Sequence, residues 1–179
     1  QKTAYEIPKR DWSSDVCSSD LLMYVGADDG SLHSTIDGGK EWTSLTPALP
    51  VRRWISRIVP SEHNEAVVYV TQRGREDDDF APYVYKSTDY GKTFRSIANN
   101  IPAGSVNVIR EDPVNPNVLY VGTDFGVFVS MNGGARWDVL GTNLPSVQVS
   151  DLQYQAKEKF IVISTYGRGM WGLDAGRIR

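Results

Sequence analysis

The 179 residues include 19 lysines and arginines and 22 aspartates and glutamates, which gives a net charge of −3 and a pI of about 5.4. Forty per cent of the residues are hydrophobic and five are tryptophans, which is enough apolar material for a packed core in one or two domains. The chain has no polybasic run, so we expect no nucleic-acid partner. It also has no apolar stretch of the roughly 20 residues that span a membrane.

The first 21 residues differ in composition from the rest of the chain. Residues 11–21 are rich in serine and aspartate and contain Cys17, the single cysteine, so no internal disulfide is possible. This stretch resembles the translation of a sequencing-adapter oligonucleotide. The resemblance implies that residues 1–21 are a non-native segment, and a natural Ser/Asp-rich linker is the alternative. Both interpretations predict little packing here.

From Leu22 onwards, short apolar runs recur. Four equivalent runs are rich in β-branched and aromatic residues and are too short for helices, so they predict strands. Their near-continuous apolarity predicts burial on both faces. These runs are 22–26, 66–70, 118–122 and 160–164.

Each apolar run belongs to a repeating unit of four predicted strands. An alternating run precedes three of them, at 55–59, 106–110 and 149–153. A third strand follows each apolar run, and a fourth is predicted at 41–45, 93–97 and 136–140. Four strands per unit are typical of a β-propeller blade. The sequence then predicts half a blade, two full blades and one blade without its outer strand.

Three stretches share one pattern at the turn before the fourth strand. Each reads hydroxyl, any residue, Asp or Asn, any residue, Gly, any two residues, aromatic. The hydroxyl and the acid or amide suit hydrogen bonds to the backbone of their own turn, and the glycine permits a positive φ. Asn132 cannot do the acid–base work of a carboxylate, so we interpret the pattern as structural. Its residues are Thr35, Asp37, Gly39 and Trp42; Ser87, Asp89, Gly91 and Phe94; and Ser130, Asn132, Gly134 and Trp137.

This pattern resembles the Asp-box, or bacterial neuraminidase repeat, of β-propellers. Together with residues 115–123 and 166–171, it makes the chain similar to sortilin-like and xyloglucanase-type, glycosidase-like propellers of bacteria. The resemblance implies an all-β, partial propeller of about three to three and a half blades over 22–175, followed by a tail at 176–179. It also implies the C-terminal part of a larger propeller, whose remaining blades are partners, and a secreted or periplasmic location.

The longest connection within a unit points to a candidate site. Asp89 and Asn132 are 43 positions apart, but Asp37 and Asp89 are 52 apart, and the extra residues fall in the predicted loop 72–80. In a propeller this loop shares a face with the fourth-to-first connections, where the resemblance implies that ligands bind. The three turns that carry the shared pattern, which we call the corner turns, lie on the other face. The predicted ligand-binding residues are Trp54, Arg73, Arg75, Phe80, Tyr166 and Arg168.

Three functions are compatible with these residues. The first is a binding or scaffold module whose ligand is a peptide or a glycan. The second is a fragment of a xyloglucanase-like or sialidase-like glycoside hydrolase, with Asp77, Asp78, Asp79 or Asp124 as candidate acid and base. The third is a structural fragment in which the loop is a solvated surface with internal Arg–Asp pairs. We predict no cofactor, and no metal site, because His33 and His63 do not have metal-ligand spacing.

Overall fold

Strands account for nearly all of the regular structure. The computed structural model describes residues 21–141 and 143–178, so the predicted non-native segment lies outside the described residues except for Leu21. The strands form four antiparallel sheets that follow one another along the chain. Sheet 1 contains β1 (Met23–Gly26), β2 (Leu32–Thr35) and β3 (Thr43–Ser44); sheet 2 contains β4 (Trp54–Pro60), β5 (Val68–Gly74), β6 (Asp79–Ser87) and β7 (Arg95–Ser96); sheet 3 contains β8 (Val106–Glu111), β9 (Leu119–Thr123), β10 (Gly126–Ser130) and β11 (Asp138–Val139); sheet 4 contains β12 (Val149–Gln155), β13 (Phe160–Thr165) and β14 (Met170–Asp174).

Helical structure in the described residues is confined to single 3₁₀ turns. They lie at Thr46–Ala48, Arg75–Asp77 and Ala175–Arg177. The predicted all-β fold class is therefore confirmed. The last turn continues directly from β14, and Ile178 packs against the core between sheets 3 and 4.

Each sheet is a meander in which neighbouring strands in the chain pair with each other. The first strands of sheets 2, 3 and 4 also contact one another, β4 with β8 and β8 with β12. The sheets therefore stand side by side with their first strands at a common inner edge and their two-residue fourth strands at the outside.

The core lies between successive sheets rather than within one sheet. Val70 and Tyr85 of sheet 2 pack with Leu32 of sheet 1, and Val121 of sheet 3 packs with Tyr69 on the other face of sheet 2. A third cluster joins sheets 3 and 4. All five residues of β9 are buried. The predicted burial of the apolar strands on both faces is thus confirmed for the middle strands of sheets 2 and 3.

The structure differs from the predicted strand pattern at the hairpin and at the fourth strands. The predicted loop 72–80 is reduced to residues 75–78, because β5 continues to Gly74 and β6 begins at Asp79, and these two residues pair. The strand predicted at 41–45 is present as Thr43–Ser44, which pairs with β2 and makes sheet 1 three-stranded. The predicted five-residue fourth strands are also shorter, with only two ladder pairs each.

The first strands of sheets 2, 3 and 4 share a bulge near their start, at the third residue of β4 and at the second residue of β8 and β12. A small polar residue occupies it each time: Ser56, Asn107 and Ser150. The Ser56 hydroxyl donates to the Val106 carbonyl oxygen (2.6 Å), and the Asn107 amide donates to the Val149 carbonyl oxygen (3.1 Å). The bulge side chains of sheets 2 and 3 thus each bond to the following sheet. Ser150 instead donates to Ser164 in its own sheet.

The three corner turns, 35–42, 87–94 and 130–137, share one hydrogen-bond pattern. In the second, the Ser87 hydroxyl donates to Asp89 Oδ1 (2.7 Å) and accepts from the Gly91 N–H (2.8 Å). Asp89 Oδ1 also accepts from the Thr93 N–H (2.9 Å). The first and third turns repeat these bonds, with Asn132 Oδ1 in place of the carboxylate. The side chains therefore satisfy backbone N–H groups of the turn.

Replacing Asp89 tests whether the carboxylate or only its shape holds the turn. Hydrogen bonds from Thr93 and Ser87 lower the pKa of Asp89 to about 2. We expect Asp89→Ala to lower the free energy of unfolding by about 1–2 kcal/mol at pH 7, because the carboxylate loses its bonds from the Thr93 N–H and from the Ser87 and Thr93 hydroxyls. Asp89→Asn should cost less than half as much, since Asn132 makes the same bonds naturally. Thermal unfolding of the three proteins measures both differences.

The pH dependence gives a second readout of the same variants. The folded pKa of Asp89 lies below its ordinary value of 3.8, so its charge stabilises the fold above that value. This stabilisation is lost as the pH falls towards about 2. The difference in melting temperature between wild type and Asp89→Asn should therefore shrink between pH 5 and pH 2. A constant difference over this range would contradict the assignment.

Candidate functional site

The predicted site centres on a rigid hairpin at one end of sheet 2. The chain leaves β5 at Gly74, makes the 3₁₀ turn Arg75–Asp77, and passes through Asp78, which adopts a left-handed conformation (φ 56°). At Gly74 a Cβ would lie 2.9 Å from the carbonyl oxygen of Asp79. A glycine is needed here because the two strands approach so closely. The hairpin thus carries its charged residues on a 3₁₀ turn between two paired strands.

Asp79 is held by three groups. Its carboxylate lies 3.0 Å from Arg53 Nε, accepts a hydrogen bond from the Tyr83 hydroxyl (2.6 Å) and accepts another from the Ala81 N–H (3.1 Å). The Tyr83 hydroxyl, the Ala81 N–H and Arg53 together lower the pKa of Asp79. Asp77 lies 3.7 Å from the same Arg53 Nε. Asp79 is therefore ionised at neutral pH, and the role it suits is positioning Arg53 rather than donating a proton.

Trp54 and Arg73 form an exposed stacked pair. The Arg73 guanidinium lies 4.1 Å from the centre of the Trp54 ring, and Trp54 is 37% exposed. Arg73 Nε lies 3.1 Å from Glu76 Oε1, which also lies 3.5 Å from Arg75 Nε. Glu76 thus fixes both arginines, and the guanidinium over Trp54 is held in place.

Asp124 joins sheet 2 to sheet 3. Its carboxylate accepts from the Ser105 N–H (3.1 Å) and from the Asn107 side chain (3.1 Å), and it lies 3.5 Å from Arg75 Nη1. These bonds fix the turn between β9 and β10 and connect it to the hairpin. They engage both oxygens of the Asp124 carboxylate in structural contacts.

Two exposed aromatic residues flank this charged cluster. Phe80 is 54% exposed, and its carbonyl oxygen accepts from the Gly104 N–H (2.7 Å). The Phe125 ring packs directly on Gly104, where a Cβ would lie 2.8 Å from the ring. Gly104 therefore links the two phenylalanines, and the pair Trp54 and Arg73 lies at the base of the same hairpin. The surface at this end of sheets 2 and 3 carries Trp54, Arg73, Phe80 and Phe125. We call it the hairpin patch.

Tyr166 and Arg168 lie in the turn between β13 and β14, at the matching position of sheet 4. Both side chains are exposed, and the Tyr166 N–H donates to the Gln148 carbonyl oxygen (2.9 Å). Within residues 21–141 and 143–178, no contact joins either side chain to the hairpin patch. The structure thus brings Trp54, Arg73, Arg75 and Phe80 together and leaves the other two predicted residues apart.

Sequence reasoning missed an ion cluster at the inner edge of the sheets. Arg57 of β4 lies 2.7 Å from Asp151 of β12, and Arg110 of β8 lies 3.8 Å from the same carboxylate oxygen. Arg110 is buried and also donates to the Leu152 carbonyl oxygen (3.0 Å). The cluster ties together the first strands of three sheets. Glu76 and Phe125 were also missed, although Phe125 directly follows Asp124, which occupies the same loop position as Tyr166.

The described residues contain no group of three or more His, Cys, Asp or Glu side chains that are arranged to hold a metal ion. In the same part of the chain, no helix has the length and apolarity to cross a membrane.

Solved structures are similar to the chain, whereas no protein-family profile and no curated protein matches it. The GH74 xyloglucanase from Xanthomonas campestris superposes with a TM-score of 0.64 at 14% identity, over 88% of this chain and 28% of that one. YCF48 bound to D1 peptide superposes with a TM-score of 0.66 at 15% identity, over 89% of this chain and 48% of that one. The extracellular domain of BT4673 from B. thetaiotaomicron superposes with a TM-score of 0.67 at 18% identity, over 94% of this chain and 22% of that one.

The fold is a partial β-propeller. The four sheets are its blades, and the first strands line the side of the central channel. At these identities the likeness establishes the fold alone. The chain spans 22–48% of the lengths of the three proteins. The hairpin patch lies at the propeller face that carries the second-to-third connections, and the corner turns lie at the opposite face.

Proposed function

We propose that this chain is the ligand-binding part of an extracellular, Asp-box type β-propeller of sortilin-like or glycosidase-like character, and that the hairpin patch binds a glycan or a peptide. The observation that carries the proposal is the combination of exposed aromatic rings with charges that are already fixed. Trp54, Phe80 and Phe125 are all exposed, and they lie at the same end of sheets 2 and 3. Large exposed apolar groups that are clustered and rimmed by polar groups are typical of binding surfaces.

The fixed charges favour an uncharged ligand group at the centre of the patch. Arg53 is neutralised by Asp77 and Asp79, and Arg73 and Arg75 are held by Glu76. A neutral sugar ring would stack its apolar face on Trp54 or Phe80 and place its hydroxyls against the paired charges. A peptide would use the same rings through its apolar side chains. A glycan is therefore the first ligand to test.

The hydrolase alternative needs one carboxyl group that is protonated at the working pH. Asp79 does not meet this requirement, because its hydrogen bonds and Arg53 keep its pKa low. Asp124 is engaged by Ser105, Asn107 and Arg75. A binding role agrees better with these contacts than an acid–base role for either residue. A non-cytoplasmic location is part of the proposal and agrees with the likeness to the extracellular domain of BT4673.

The test is a binding screen of the purified chain against neutral oligosaccharides, acidic oligosaccharides and unstructured peptides, measured by calorimetry. For the ligand that binds in this screen, we expect Trp54→Ala and Phe80→Ala each to weaken the affinity about tenfold or more, because each removes an exposed ring from the patch.

Trp42→Ala is the matched control for Trp54→Ala. Trp42 is 43% exposed, which is close to Trp54, but it lies beside a corner turn at the opposite face. Its removal should leave the affinity unchanged. If Trp42→Ala and Trp54→Ala weaken binding equally, the hairpin patch is not the binding site. If the chain hydrolyses an oligosaccharide and Asp79→Asn abolishes that activity, the hydrolase function is favoured instead.

A further inference from the structure

The residue that follows the acid or amide of each corner turn is bonded to an earlier part of its own blade. Its backbone N–H donates to a carbonyl oxygen that lies two residues before β1, β5 or β9. Gly38 donates to Leu21 (3.0 Å), Tyr90 to Ala66 (2.9 Å) and Gly133 to Asn117 (2.8 Å). This backbone bond closes all three turns in the same way, in addition to the side-chain bonds described above.

The third corner turn differs from the other two in the chemistry of its sequence. It contains Asn132 followed by Gly133, whereas the first two turns carry an aspartate in place of Asn132. Asn132 is also the only asparagine of the 179-residue chain that is followed by glycine. Because glycine has no Cβ, its backbone nitrogen reaches the side-chain carbon of the preceding residue with the least hindrance. The sequence therefore places its most readily attacked asparagine amide in this turn.

The reaction open to this pair is loss of the side-chain amide as ammonia. The Gly133 nitrogen gives its proton to solvent and forms a bond to Cγ of Asn132, and the bond from Cγ to Nδ2 breaks. The cyclic succinimide that results is then hydrolysed by water. Cleavage at Cγ gives aspartate, and cleavage at the main-chain carbonyl carbon gives isoaspartate. The net change is amide plus water to carboxylate plus ammonium, with no oxidation or reduction.

The closed turn opposes this reaction at both reacting groups. The nitrogen of a succinimide carries no hydrogen, so the bond from Gly133 to the Asn117 carbonyl oxygen must be lost before the ring forms. The carboxamide is held as well, because Asn132 Oδ1 accepts from the Ser130 hydroxyl (3.0 Å) and from the Arg136 N–H (2.9 Å). Ring formation therefore needs a turn that has opened.

Exclusion of water does not protect the turn. Asn132 is exposed, and so are its neighbours Met131 and Ala135. Water and hydroxide thus reach the reacting pair in the folded chain. The rate of deamidation should therefore follow the population of the opened turn, which is a local unfolding equilibrium, rather than the access of solvent.

We propose that Asn132 is a deamidation site that reacts only when the third corner turn opens, and that aspartate is the product with which the turn closes again. In the second turn, Asp89 Oδ1 accepts from the Ser87 hydroxyl (2.7 Å) and the Thr93 N–H (2.9 Å), which are the bonds that Asn132 Oδ1 makes in the third. Isoaspartate instead adds a methylene group to the backbone and moves the carboxylate away from the Arg136 N–H. The site lies at the face opposite the hairpin patch, so this proposal does not depend on the proposed ligand.

The first test compares the folded chain with the same chain in guanidinium chloride. Both are incubated in the same mildly alkaline buffer, and peptide mapping by mass spectrometry follows the conversion of Asn132. We expect the folded chain to react about 100-fold more slowly, because the opened turn is a minor population. Equal rates in the two samples would overturn the proposal.

Ser130→Ala loosens the turn without changing the reacting pair. It removes the hydroxyl that donates to Asn132 Oδ1 and accepts from the Gly134 N–H (2.8 Å). We expect Asn132 to react about tenfold faster in this folded variant than in the wild type. Ser87→Ala, the same change in the second corner turn, is the matched control and should leave the rate at Asn132 unchanged. If Asn132 reacts equally fast in the two variants, the third turn does not control the reaction and the proposal is wrong. The comparison of folded with denatured wild type holds whether or not a variant folds.

The second test identifies the product that the turn accepts. The chain is kept in denaturant until Asn132 has been converted, and is then refolded just below the denaturant concentration at which the wild type unfolds. Size exclusion separates folded from unfolded molecules, and chromatography of their proteolytic peptides distinguishes aspartate from isoaspartate. Aspartate should be enriched in the folded fraction and isoaspartate in the unfolded one, because only aspartate restores the bonds to Ser130 and Arg136. The same ratio in both fractions would contradict the assigned product.

Discussion

Replacing Trp137 with alanine is expected to lower the free energy of unfolding by about 3–5 kcal/mol, the range for emptying a buried tryptophan site. The ring is 2% exposed, packs between blades 2 and 3, and donates its indole N–H to Ile97. Alanine removes the ring and leaves the Ile97 carbonyl oxygen without this donor. Urea denaturation followed by circular dichroism measures the difference.

Trp42→Ala is the internal comparison. Trp42 has the same place in its corner turn but is 43% exposed, so its removal should cost less than about 1 kcal/mol. Trp137→Phe should recover most of the packing and lose mainly the hydrogen bond. If Trp42→Ala and Trp137→Ala destabilise the chain equally, the aromatic residue acts within its own turn and not between blades.

Gly134→Ala is expected to destabilise the chain by about 2–5 kcal/mol. Gly134 has φ +89°, where an added Cβ costs about 1–2 kcal/mol. That Cβ would also lie 2.8 Å from Ile97 Cβ in the preceding blade, so either the corner turn or the connection must shift. Overpacking of this kind adds about 1–3 kcal/mol. Denaturant unfolding measures the total.

Gly141→Ala isolates the backbone contribution. Gly141 has nearly the same φ, +86°, but nothing lies within 4 Å of the added Cβ. It should therefore cost only about 1–2 kcal/mol. If Gly134→Ala and Gly141→Ala lower the free energy of unfolding equally, the contact with Ile97 adds nothing to the cost of the Gly134 substitution.

The strands were predictable because each blade repeats the same local signals. Runs such as 118–122 are apolar and β-branched, and the Asp or Asn and Gly of each corner turn fix where the next strand begins. The hairpin was mispredicted because its residues, Arg73 to Asp79, are charged and read as a loop. Gly74 pairs with Asp79 because β5 and β6 continue side by side into the hairpin, and local amino-acid composition does not predict where two strands stop pairing.

The candidate site was predictable in location but not in its contacts. The extra length of the second unit and its mixture of arginine and aspartate pointed to the hairpin. The partners of these charges come from elsewhere: Arg53 precedes β4, and Asp124 belongs to the next blade. Arg57 and Asp151 are still further apart in sequence and meet only because the first strands of three blades converge. Such pairs follow from the curvature of the whole assembly, which no local pattern specifies.

The bulge residues bear on how a chain of this kind changes in length. Ser56 and Asn107 each donate to the following blade, and the carbonyl oxygens that they reach, Val106 and Val149, begin the strand of that blade. Sheet 3 therefore carries both a donor towards the following sheet, Asn107, and an acceptor for the preceding one, Val106. Tandem duplication or deletion of one whole unit leaves donors and acceptors matched at the new junction. Genes encoding such chains can gain or lose a unit in one step, without compensating substitutions at that hydrogen bond.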